Sequence, residues 1–230
     1  TLRYLSTRLE RTFTEPVTPA VRRNMYTELL ASMAYGIFYA AAIQYIPVVL
    51  RRLGASSELL AVYTAQTYLG SILTSLSIVL MRRRRPKHFV VLCWVAARSL
   101  FLLFALVTQT YWLLVVTALF WLLESFPSPG YTRIIQVIYP ERLRGQVISV
   151  VRLGMVAAIR VATPLAGWAL DRYGYRLLFP LAGLMGILAT WIFSKLRVDE
   201  GPLPPRQTRS VTSLWQLVRH NRPFALHLLS

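Results

Sequence analysis

Cysteine is all but missing from this chain: Cys93 stands alone, so no disulfide forms within it. Histidine is nearly as scarce, and His88, His220 and His227 make no metal-ligand constellation with Cys93. No metal and no cofactor are therefore expected. Acidic residues are few as well, 9 Asp and Glu against 26 Lys and Arg in 230 residues. Charged residues of both signs make up 15%, where a soluble domain has about a quarter. No Gly-x-x-x-x-Gly-Lys run is present, which argues against a nucleotide-driven machine. The first 23 residues lack an apolar core, so a cleavable signal peptide is not expected. The chain opens on Thr1 and is read as trimmed or a fragment.

Apolar residues are abundant: 55% of the chain is hydrophobic and the mean hydropathy is +0.48. Crossing the hydrocarbon core takes roughly 20 mostly apolar residues. Six stretches qualify, Glu28 to Leu50, Leu59 to Met81, Phe89 to Val107, Tyr111 to Tyr139, Val147 to Leu170 and Leu177 to Leu196. All are expected to be helices, because an open strand edge leaves polar backbone unsatisfied in lipid. The expected fold is all-α, a polytopic membrane helix bundle of six transmembrane helices. The divisions expected are an N-terminal segment over 1–23, the bundle over 24–198, and a linker over 199–230 that runs into the start of a seventh span.

The net charge of +17 would suit nucleic acid, but its distribution excludes that partner. The cations gather in short segments between apolar runs. The N-terminal segment, Arg82, Arg83, Arg84, Arg85 and Lys87, Arg142 with Arg144, and the tail from Lys195 lie on one side; only Arg51, Arg52, Arg172 and Arg176 lie on the other. The positive-inside rule makes the richer side cytoplasmic, with both ends of the six-span unit there. The strength of the bias fits a bacterial cytoplasmic membrane.

Two segments resemble each other about 90 residues apart: IQYIPVVLRRLGAS from Ile43 and IQVIYPERLRGQVIS from Ile135. Three spans fit in that interval, and an odd number inverts the second copy. Two inverted three-helix repeats are the expected architecture, one that transporters share.

Six spans with both ends inside, a strongly basic loop after span two, Pro140-Glu-Arg-Leu-Arg-Gly-Gln146 after span four, and Thr163-Pro-Leu-Ala-Gly-Trp-Ala-Leu-Asp-Arg-Tyr-Gly-Tyr-Arg176 at the end of span five make the chain resemble the N-terminal half of a major facilitator superfamily transporter. The loop after span two keeps only the basic part of the family's pattern, without its Asp and Gly. Span five matches the family's antiporter motif only at Pro164 and Gly167, with Thr163 in the place of a glycine. The resemblance implies secondary active transport of a small solute by alternating access, with the lipid bilayer, a small-molecule substrate and a missing C-terminal half as partners. A non-transporting membrane protein, such as an assembly factor or remnant half, is the alternative. A membrane-embedded enzyme is the weakest reading, because convergent nucleophiles and metal ligands are scarce.

Charges at a helix centre cost about 2.5–3.5 kcal/mol on insertion scales and need a reason. Glu124 precedes Pro127 and Pro129, which cannot donate backbone hydrogen bonds and so break the helix near mid-membrane. Arg160 precedes Pro164 on span five. Both residues lie roughly 20 Å from the same helix ends at 1.5 Å per residue. They are therefore expected to be level and to pair. Two readings stay open. In one, Glu124 exchanges a proton and Arg160 holds an anionic substrate group; in the other, the pair is static and fixes packing. Tyr35, Tyr39, Gln44 and Gln66 are further cavity candidates, or packing and interhelical hydrogen-bonding residues. Arg98 is read as a structural partner, Arg152 as a snorkelling cation, and Glu28 as a solvated residue at the span edge. The Arg82–Arg85 run is a topology anchor, or a conformational latch lacking its acidic partner.

Overall fold

The computed structural model of the protein describes residues 16–72, 77, 81 and 85–199. These belong to one compact unit, and among them there is no strand. Helix α1 is Pro19–Ala41. Thr18 caps it by accepting a hydrogen bond from the Val21 amide, and Pro19 takes the first helical position, where a missing N–H costs nothing. This Thr-Pro start places the helix onset before Glu28. A 3₁₀ turn, Ile43–Tyr45, leads into α2, Ile46–Arg52, which completes the first span. The second span begins with α3, Ser57–Ile72, and is again helical at Ser77 and Met81. The third is α4, Pro86–Ser99, tightening into 3₁₀ over Leu100–Ala105.

The fourth span is two helices, α5, Thr110–Ser125, and α6, Ser128–Ile138, interrupted at Phe126 and Pro127 as the prolines require. The fifth, α7, Glu141–Tyr173, runs unbroken through Pro164. Its 33 residues make a rod of about 50 Å at 1.5 Å per residue, so it overhangs the hydrocarbon. Gly174, at φ 76°, turns the chain into the sixth span, α8, Tyr175–Phe193. Five helical segments are long and apolar enough to cross a membrane; the described part of the second span, 16 residues, is the exception. The seventh-span expectation and residues Arg82, Arg83 and Arg84 lie outside the described residues.

The packing follows an exchange rule. The first span packs on the fifth and sixth, the fourth packs on the second and third, and the third and sixth pack on each other. Swapping first for fourth, second for fifth and third for sixth returns the same set. That is what two three-helix copies would produce. The sequence match that suggested the repeat is nonetheless out of structural register. Pro47 lies in the first turn of α2, finishing a span, whereas Pro140 is the N-cap of α7, opening one.

Two apolar clusters fill the bundle. One gathers Phe38, Phe101, Phe104, Phe120 and Phe179 in edge-to-face and tilted contacts. The other gathers Met25, Val90, Ile134, Tyr139, Val147 and Phe193. Arg98 touches both, through Tyr35 on the first and Trp94 on the second.

Candidate functional site

Arg98 is 3% exposed at the middle of the bundle. Its Nη2 donates to Glu124 Oε1 at 3.0 Å. Its Nη1 donates to Thr190 Oγ1 at 2.6 Å and to the Gly186 carbonyl at 3.1 Å. The guanidinium carbon lies 4.6 Å from the Tyr35 ring centre and 4.9 Å from that of Trp94, within cation–π range. One side chain thus joins the first, third, fourth and sixth spans. The local sequence permits it: a Cβ at Gly186 would come within 3.1 Å of Arg98 Cδ and of Phe38 Cγ. Trp94 Nε1 also donates to the Glu124 carbonyl at 3.2 Å, an acceptor beside the helix break. Glu124 Oε2 is buried without a hydrogen-bond partner.

The structure corrects the expected pairing. Glu124 bonds to Arg98, and Arg160 is exposed on α7. Equal depth on two helices does not bring side chains together when they sit on different faces. Arg98, read as a structural partner, holds that position.

Glu28 corrects a second expectation. It is 2% exposed rather than solvated, and it accepts hydrogen bonds from Tyr139 at 2.6 Å and Tyr131 at 2.7 Å. Because α1 starts at Pro19, Glu28 lies more than two turns inside the helix, on the face that also buries Val21, Asn24 and Met25. Nearby, Asn24 bonds both the amide and the carbonyl of Arg197, and Lys87 donates to the Leu196 carbonyl, tying down the end of the sixth span.

The remaining candidates separate into packing and surface. Gln66 is buried; its Nε2 donates to the Leu114 carbonyl and its Oε1 accepts from Thr117. It joins the second and fourth spans. Tyr35 and Tyr39 are half-buried with ring centres 6.3 Å apart. Gln44 is exposed and accepts from Thr163 Oγ1 at 2.9 Å. Tyr45 donates to the Thr163 carbonyl at 2.8 Å, and its hydroxyl fills the space beside Gly167. Pro127 caps α6, and Pro129 lies in that helix's first turn. Arg85 is the exposed N-cap of α4.

The exposed side of α7 divides lengthwise into two edges. Leu153, Val161, Leu165 and Trp168 make an apolar edge suited to lipid. Beside it run Ser149, Arg152, Val156, Arg160 and the half-buried Thr163. This polar edge points toward Gln44 of the first span, through Thr163.

A model of the Major Facilitator Superfamily matches residues 13–230. Among solved structures, the chain is similar to a bacterial homolog of the human lysosomal transporter Spinster, crystallised inward-facing and unoccupied. The TM-score is 0.61 at 16% identity, over 88% of this chain and 49% of that one. This chain therefore spans about half the length of that structure, and the likeness is one of fold. No curated protein matches the sequence.

Proposed function

The chain belongs to the Major Facilitator Superfamily, and from that membership we propose that it forms the N-terminal half of a membrane transporter moving a small solute by alternating access. The family match over residues 13–230 carries this reading. The polar edge of α7 supports it, because charged side chains at membrane depth belong beside a bundle interior or a wet cavity rather than lipid. The half supplied here comprises residues 24–198, flanked by a cytoplasmic segment over 1–23 and a linker over 199–230. Its basic side faces the cytoplasm of a bacterial cell.

In this reading Arg160, Gln44 and the faces of Tyr35 and Tyr39 border the solute path. Gln66 and Arg98 hold the wall. Glu124, anchored by Arg98, keeps a second, buried carboxylate oxygen that can take a proton. The experiment is reconstitution of the full-length reading frame into proteoliposomes, with solute flux followed under an imposed proton gradient. Flux that the Glu124→Gln variant loses supports proton exchange at Glu124; undiminished coupled flux in that variant removes it. Solute binding without flux would establish the non-transporting alternative.

A further inference from the structure

Arg152 and Arg160 are both exposed on α7, eight residues apart. At 1.5 Å and 100° per residue this separates their Cα atoms by about 12 Å along the axis and about 80° around it. Both fall on the polar edge, with Val156, exposed like them, between. The two ion pairs among the described residues are Arg52 with Asp171 and Arg98 with Glu124, so neither arginine is neutralised by a described carboxylate. Inside the fourth and first spans the only described carboxyls are Glu124, held by Arg98, and Glu28, held by Tyr131 and Tyr139. Arg133, the exposed cation of the fourth span, lines a separate surface hollow with Pro86, Val137 and Val198.

The two guanidinium groups stand at successive depths with no counter-charge among the described residues, and in the transport reading they border the solute path. We propose that Arg152 and Arg160 are successive stations for one small anionic group, a carboxylate, sulfonate or phosphate, on the solute that this transporter carries. The inference rests on the transport reading above and adds the chemical class of its substrate. A guanidinium offers such a group a planar fork of donors that a lysine lacks. The phosphate of an anionic lipid headgroup shares that chemistry, and the test separates the two sources.

The test uses the full-length protein in phosphatidylcholine nanodiscs with a Val156→Cys substitution, which leaves both arginines in place. Cys93 is buried, and the unsubstituted protein is the blank. Two methanethiosulfonates, one carrying a sulfonate and one a trimethylammonium, are allowed to react, and each rate is divided by its rate with free cysteine. The expected result is a normalised preference for the sulfonate of about tenfold or more, the lower range for a cleft that focuses charge. Inorganic phosphate slows that reaction, Arg152→Lys retains the preference, and the Arg152→Gln/Arg160→Gln pair abolishes it. A Leu165→Cys variant, on the apolar edge about 140° around the helix from Arg160, stays unreactive. Equal normalised rates at the Val156→Cys position overturn the anion stations while leaving the transport reading intact. No reaction there with either reagent also overturns the anion stations, because the edge is then closed to aqueous solutes. Loss of the preference when phosphatidylglycerol is added to the bilayer assigns the arginines to lipid headgroups and overturns the solute assignment.

Discussion

Arg98 shows how a single buried cation is kept in a membrane bundle. Its charge is matched by Glu124, two further hydrogen bonds go to the sixth span, and two aromatic rings flank it. Removing one member of such a pair strands the other, at about 3–5 kcal/mol, whereas replacing both with apolar groups is far milder. Arg98→Leu and Glu124→Leu are each expected to lower stability by that amount in denaturant titrations of the micelle-solubilised protein, and the double variant to recover most of it. Glu28 is held by phenols instead of a cation. Tyr139 is fully buried, and losing a hydrogen bond to a charged group costs about 1.5–3 kcal/mol. Tyr139→Phe is expected to cost that much, Tyr131→Phe less because Tyr131 is partly exposed, and both effects to shrink in a Glu28→Leu background. The sequence marks Glu124 and Arg98 as charges needing partners, but their 26-residue separation says nothing of the match. Hydropathy along the chain rises only at Glu28, whereas the Thr18-Pro19 cap starts the helix earlier, so the hydropathy pattern alone puts at a span edge a residue that the fold buries.

At the scale of elements, the closest approach is between α1 and α7, and glycines permit it. A Cβ on Gly36 would stand 2.7 Å from the Met155 carbonyl oxygen, a backbone atom that cannot yield without moving the helix. A Cβ on Gly154 would instead meet Leu29 Cδ1, the end of a flexible side chain. Alanine gains about 1 kcal/mol of helix propensity at either position. Gly36→Ala is nevertheless expected to lose about 1–3 kcal/mol net through overpacking, and Gly154→Ala to be near neutral; thermal unfolding in detergent distinguishes them. The Arg52–Asp171 pair also joins the first and fifth spans, but it is exposed, and Arg52→Ala is expected to cost no more than about 1 kcal/mol. The break in the fourth span was legible from Pro127 and Pro129. The division of α7 into polar and apolar edges was not, because periodicity identifies an exposed side without saying which part of it meets lipid.

For the whole molecule, the exchange rule among the spans fits two copies related by inversion, and the proposed orientation, with both ends cytoplasmic, makes the loops alternate in side. Cysteines introduced at two exposed positions, Ser56 in the loop before α3 and Glu141 at the start of α7, are expected to differ in a membrane-impermeant maleimide assay on intact cells. The Ser56→Cys variant labels from outside and the Glu141→Cys variant only after lysis. The reverse pattern would overturn the orientation read from the basic loops.

Span number, helical class, the broken fourth helix and the sidedness expectation all follow from composition along the chain, because lipid forces every backbone group into local hydrogen bonds and leaves cations at the ends. The tertiary structure alone decided which charges meet. Arg98 took Glu124, Glu28 took two tyrosines, and Arg160 was left without a described counter-charge. Pairing depends on the rotation of each helix about its axis and on how closely small residues such as Gly36 and Gly186 let the helices approach. Neither quantity is recorded in the order of residues along one span; both emerge when six spans pack together.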